Sequence, residues 1–396
     1  MHALTEAAAA VGFAFPNDLH VHWSLMIVLY PYITGIVAGA FIVSSLYHVF
    51  HVQEVKPIAR FSLLFALAFV ACATLPLLNH LGRPERAMNM MLTPNPTSAM
   101  AGFGYIYTAY TIVLLLEILF IYRPTLVALR QEKTGFMGRM YAVLSMGSDN
   151  ISAEAMTADR KIIAFLAGIG IPMACVLHGY VGFIFGGVKA NPLWATPLMP
   201  VIFLLSACVS GIAGIIVAYF VIKRFNGGDV DLECVRTCVK FLWGFFILDF
   251  TFEMLEVFSH AYMATHHWHT LHELLWGPLF GSYWIGQVMV FSIIPFLLLG
   301  WLSLVRVSDR LLGILAPVAS LMILIQVFLM RWNVVIGGQL MSKSGRGSVF
   351  FQPEWLEKEG ILASLAIMVL PIAILYLLSK VFPFWNEDQT TSSEVA

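Results

Sequence analysis

Nine stretches of the chain are long and apolar enough to cross a bilayer, each near the ~20 residues such a crossing needs. They run over residues 23–50, 60–79, 99–122, 162–187, 197–222, 241–263, 282–305, 311–336 and 360–380. Polar positions gather in the connections between them. The pattern predicts an all-α, polytopic integral membrane bundle of about nine transmembrane helices. Gly35 and Gly39 in the first run are small residues one turn apart, which lets a neighbouring helix approach closely. Residues 1–22 read as an outer segment, 23–380 as the transmembrane domain and 381–396 as a cytoplasmic tail, polar and disordered from Asn386. The longest connection, 123–161, is mixed in charge and reads as a loop.

Composition agrees with the pattern. Hydrophobic residues make up 59% of the 396 and charged residues 11%, against about 25% charged in a soluble domain. This excludes a soluble enzyme. A net charge of −1 leaves no electrostatic footprint for nucleic acid. The first residues, MHALTEAAAAVGFAF, lack a basic region and do not form a typical signal peptide. The five cysteines include no Cys-x-x-Cys pair and read as packing thiols, with no metal site. Lys and Arg are distributed fifteen against six between alternate sets of connections, with Arg331 inside a span. That asymmetry places the N-terminus outside and the C-terminus in the cytoplasm. In a bacterial cytoplasmic membrane, residues 79–100 then face the periplasm.

Ionisable groups inside membrane helices are costly, so they are the functional candidates. In the sixth run, Asp249, Glu253, Glu256 and His260 fall at i, i+4, i+7 and i+11, one face of a helix. They form a column of roughly 16 Å, from mid-membrane toward the outer surface. A polar packing seam between helices would explain such a stripe, and so would a proton or polar-ligand path. His178, Arg331, His80 and Tyr30 lie at comparable outer depth in other helices. Glu117 is an isolated acid of the inner half that could continue a path inward with Asp249. An aromatic, apolar pocket with a His, a carboxylate and an Arg suits a quinone, whose carbonyls need donors and whose reduced form needs proton acceptors. The histidines are too few for a dihaem site. The His-rich stretch 260–277 matches no metal-ligand spacing and reads as an interfacial or partner-docking loop.

The stretch 79–100, NHLGRPERAMNMMLTPNPTSAM, joins the second and third runs. Arg83 and Arg86 flank Pro84-Glu85 as a basic fork, and Asn95-Pro-Thr-Ser supplies turn and N-cap chemistry for the next helix. Together with LHGYVGFIFGGVKANPLWATPLMPVIFLLSA at 177–207 and RWNVVIGGQ at 331–339, this wording resembles the NrfD/PsrC family. These are quinone-interacting membrane subunits of polysulfide-reductase-type complexes. The second and third segments are most similar to the longer branch, which includes the DsrP, alternative-complex-III and hydrogenase-2 membrane subunits.

The resemblance implies two helical bundles and an exchangeable menaquinone or ubiquinone near the outer face, with no haem or iron–sulfur cluster in this chain. It also implies a periplasmic ferredoxin-like iron–sulfur subunit docked there, with a catalytic or cytochrome subunit beyond it. Tyr30, His80, His178, Glu253 and Arg331 are then the expected quinone contacts. Glu117, Asp249, Glu256 and His260 are the expected proton path, and Arg83, Arg86 and Asn95 the expected docking residues. The chain departs from the family in placing His80 where many relatives have Asp, and Tyr30 where the shorter branch has a quinone-contacting His. A Tyr cannot act as a His-like base at neutral pH. A secondary transporter or proton channel, or a purely structural membrane anchor, would use the same polar residues differently.

Overall fold

A computed structural model describes residues 21–263, 266–341 and 348–385. The chain is helical almost throughout these residues. The long helices are α1 (Leu25–His48), α2 (Lys56–Ala73), α5 (Ala99–Glu132), α7 (Ala153–Gly186), α8 (Met199–Phe225), α9 (Leu232–Met263), α12 (Asp309–Trp332) and α14 (Ile361–Ser379). Between them lie shorter helices: α3 (Leu75–His80), α4 (Asn89–Leu92), α6 (Gly135–Leu144), α10 (His266–Trp276), α11 (Ile294–Leu304) and α13 (Gly338–Leu340). Two segments are π-helical, Phe280–Ile293 leading into α11 and Asn333–Gly337 following α12.

Among the described residues, eight helical stretches are long and apolar enough to cross a membrane. The ninth expected crossing is α9, a continuous helix of 32 residues whose acids lower its hydropathy. The protein is a multi-pass helical membrane protein. α1 and α8 hold its centre. α1 packs against α2, α7, α8 and α12, while α8 packs against α1, α7, α9 and α12. Helices α5 and α7 complete the group around α1, and α9, α11 and α12 pack on the far side of α8. The close approach of α1 and α8 depends on glycine: a Cβ at Gly39 would lie 2.1 Å from the Ala207 carbonyl oxygen, and one at Gly211 would lie 2.3 Å from the Gly39 backbone.

Contacts gather the connections at two opposite ends. At one, Trp23 stacks on Trp194 with centroids 5.0 Å apart, and the Trp23 main-chain N–H donates to Gln339 at 2.8 Å. At the same end Glu359 accepts from the Ser24 hydroxyl and meets His80 Nδ1 at 2.8 Å. At the other end, Arg236 pairs with Asp309 at 3.3 Å and Arg306 with Glu233 at 3.5 Å.

Two expectations change here. The connection 123–161 is mostly helix: α5 runs on to Glu132, α6 follows, and α7 begins at Ala153. Charge did not end α5 because Arg123 pairs with Asp159 and donates to the Asn150 carbonyl at 2.5 Å. Residues 260–277 are likewise mostly helix, with Leu271, Leu274 and Leu275 of α10 buried. The tail begins ordered. Phe382 and Phe384 are buried against Tyr122 and Phe61, and Lys223 lies 4.5 Å over the Trp385 ring. The disorder expected from Asn386 onward and most of the expected outer segment 1–22 lie outside the described residues.

Candidate functional site

The acidic stripe of α9 faces inward. Asp249 is fully buried and Glu253 only 5% exposed, whereas Leu248, Leu255 and Phe258 on other faces of the helix are exposed. Glu253 accepts from Gln287 Nε2 at 3.0 Å and from Gln326 Nε2, which straddles its two oxygens at 3.1 and 3.2 Å. Gln287 Oε1 in turn accepts from Asn333 Nδ2 at 2.8 Å, and Asn333 Oδ1 from the Ser282 hydroxyl at 2.7 Å. Above this network, Glu253, Glu256 and His260 line one wall of a narrow cleft with about 50 Å³ of internal space. Leu271 and Leu275 of α10 cover it, Met199 and Ile202 of α8 form its floor, and Tyr283, Gln287, Met330 and Asn333 close the remaining wall.

Beside the network lies a buried cation. Arg331 is fully buried with Phe203 stacked 3.7 Å from its guanidinium carbon. Its Nη2 donates to Ser206 Oγ at 2.6 Å and contacts His178 Nε2 at 3.0 Å. A guanidinium offers only donors, so His178 Nε2 accepts and the ring proton sits on Nδ1. That Nδ1 has no protein partner, nor has either oxygen of Asp249, among the described residues. Asp249, Glu253 and Tyr30 act on Arg331 through space. Tyr30 itself is 2% exposed and packs edge-on against Phe103.

The structure thus brings His178, Arg331, Tyr30, Asp249 and Glu253 into one electrostatic group, with Glu256 and His260 on the adjoining cleft. His80 stands apart from it. His178 lies against Gly35, eleven residues and roughly 16 Å along α1 from Ser24, whereas His80 shares Glu359 with Ser24 at the helix end. Glu117 is fully buried on α5, within electrostatic reach of Tyr110, and neither of its oxygens has a protein partner among the described residues. It belongs to the group of helices around α1. Arg83, Arg86 and Asn95 are exposed on the α3–α5 connection, where Asn95 Oδ1 accepts from the Thr97 N–H at 3.1 Å. Ser98 caps α5 by accepting from the Ala101 N–H at 3.3 Å.

Sequence reasoning passed over Gln287, Gln326, Asn333, Ser206 and Phe203. A signal for the amides was present: Gln287 and Gln326 each interrupt a long apolar run, and a buried amide is costly unless bonded.

The family model described as "Polysulphide reductase, NrfD" matches residues 16–343, a span that contains α9, the cleft and Arg331. The chain belongs to the NrfD family. Its relatives include a selenate reductase subunit of Mesobacillus selenatarsenatis, 28% identical over 93% of this chain and 88% of that protein. Protein NrfD of Escherichia coli is 26% identical over 80% of this chain and 95% of its own length. The Hdr-like menaquinol oxidoreductase integral membrane subunit of Archaeoglobus fulgidus is 23% identical, over 68% of this chain and 60% of that protein. As an NrfD-family chain, the protein is similar to membrane subunits of oxidoreductase complexes.

Proposed function

We propose that this chain is the quinone-reacting membrane subunit of a respiratory oxidoreductase complex, and that the quinone or quinol head binds in the cleft beside Glu253. One observation carries this: a buried carboxylate held by two amides lines a mostly apolar cleft that also presents Glu256 and His260. The menaquinol oxidoreductase subunit among the relatives supports the ligand class.

Oxidation of a quinol releases two electrons and two protons, and reduction of a quinone consumes them. Glu253, Glu256 and His260 stand ready to exchange the protons, while Tyr283 offers a hydrogen bond to a ring oxygen. The electrons pass to or from an iron–sulfur subunit docked on the same end of the molecule, where Arg83, Arg86 and Asn95 stand exposed. The Lys/Arg asymmetry supports a periplasmic position for that end. Asp249 continues the polar column inward, Arg331 with His178 lies beside it, and Tyr30 closes this group against α1. Glu117 supplies a separate buried acid for proton movement at the inner end, and His80 serves the outer surface. The selenate reductase relative supports, by analogy, a complex with a separate catalytic subunit.

The test is organic extraction of the purified protein with chromatographic detection of quinone, for wild type and for Glu253→Leu with Arg331→Met. Quinone retained by wild type and lost from the folded double variant supports the proposal. Folded protein without quinone in either sample overturns it in favour of transport or structural anchoring.

A further inference from the structure

Two irregular helical segments meet at Glu253. Gln287 lies in the middle of the π-helix Phe280–Ile293, and Asn333 opens the second, Asn333–Gly337. π-helical turns are rare and gather at functional sites. Here the two are joined to each other by the Asn333–Gln287 hydrogen bond and to α9 by the Gln287–Glu253 hydrogen bond. The Ser292 hydroxyl, donating to the Gln287 main-chain carbonyl at 2.7 Å, occupies a backbone acceptor in the same irregular stretch.

Every donor in the chain points the same way. Ser282 donates to Asn333, Asn333 to Gln287 and Gln287 to Glu253. Turning either amide over would set N–H₂ against N–H₂ or oxygen against oxygen, so the sequence of donors is locked. Gln326, from α12, delivers its N–H to the same carboxylate from another side. These three amides are 0–3% exposed. Burying an amide is costly unless it is bonded, and here all three direct their N–H groups, directly or in series, to one acid, while Gln326 Oε1 has no protein partner among the described residues. Glu256, one turn further out on α9, has no such support, and its Oε1 has no protein partner among the described residues.

We infer that Gln287, Gln326 and Asn333, with Ser282, form a positioning clamp that fixes Glu253 on the cleft wall and makes it the first proton-exchanging group for the bound ligand. This rests on the cleft being the reaction site. The titratable groups facing Glu253 are Asp249, Glu256 and His260 on α9, Tyr283 on the π-helix and Arg331 on α12, with Cys208 of α8 beside Asp249. The clamp touches none of their side chains by hydrogen bond except that of Glu253, so its loss acts on this one acid.

The experiment measures quinol oxidation by the assembled complex in membranes, across pH, with a short-chain quinol. Gln287→Met and Gln326→Met keep volume and remove the donor to Glu253. Gln326→Asn keeps a neutral amide and withdraws it from Glu253 by one methylene, which guards against a variant that fails to assemble. The clamp predicts a displaced pH midpoint of kcat and a fall of about tenfold at the wild-type optimum, with KM within about twofold. Assembled variants with the wild-type pH profile and kcat overturn the clamp. Glu253→Gln separates the two ideas. If it turns over like wild type, the cleft reading itself fails. If it is impaired while the clamp variants are normal, only the clamp fails.

Discussion

The guanidinium of Arg331 meets the imidazole of His178 at 3.0 Å, cradled by Ser206 and the face of Phe203. The cation is fully buried, and its nearest bonded partners are neutral. Asp249 and Glu253 act on it through space, and removing one member of a buried charged group strands the others, at a cost of ~3–5 kcal/mol. Arg331→Met is therefore expected to lower the thermal midpoint in detergent, and quinol turnover to fall at least about tenfold, the equivalent of ~1.4 kcal/mol in the barrier. A lowered midpoint with normal turnover would identify Arg331 as a structural tie.

Gly35 offers a way to disturb the same pair without removing a polar atom. A Cβ there would lie 3.1 Å from His178 Cε1. Gly35→Ala is expected to push the imidazole off Arg331 and lower turnover. At Gly39, where the same atom would strike the Ala207 carbonyl, alanine is expected to cost about 1–3 kcal/mol of stability through overpacking. Comparing thermal midpoints and turnover for the two alanines checks both expectations; equal loss of stability at the two glycines would refute the distinction.

The Arg123–Asp159 pair ties α5 to α7 beyond the bilayer-length part of each helix, with both side chains largely buried. Removing either partner strands the other, at an expected cost of about 3–5 kcal/mol. Arg123→Met combined with Asp159→Leu is expected to recover most of that loss. A double-mutant cycle on unfolding reads the coupling. Additive losses would mean that the two charges are solvated independently.

Trp385 packs on Phe61 and Tyr219 and lies under the Lys223 ammonium. Trp385→Ala is expected to lower stability by about 1–3 kcal/mol through lost apolar burial and cation–π attraction. Quinol turnover should be unchanged, because the residue is at the end of the molecule opposite the cleft. A turnover defect in the stable variant would contradict this placement.

How far the site could be read from the chain depended on local spacing. Asp249, Glu253, Glu256 and His260 repeat at helical intervals, so their common face needed no partner helix to be visible. Their partners did. Gln287 and Gln326 are far apart in sequence from Glu253 and from each other, and only the packing of α12 and the π-helix against α9 makes them donors to one carboxylate. His80 shows the converse. Its depth relative to His178 follows from the contact of α3 with Glu359, just ahead of α14, which no periodicity encodes.

Length and apolarity alone determined the class of fold, its crossings and the identity of the charges within those crossings, because the bilayer requires ~20 apolar residues per crossing and penalises each ionisable side chain within it. Glycine spacing in α1 also announced a close helix contact. The helical continuation of α5 past Arg123 and the ordered Phe382–Trp385 segment were decided by tertiary structure. So were the separation of His80 from Arg331 and the clamp on Glu253. Each depends on a charge, an aromatic ring or an amide finding a partner distant in sequence, and such a pairing exists only once the helices have packed.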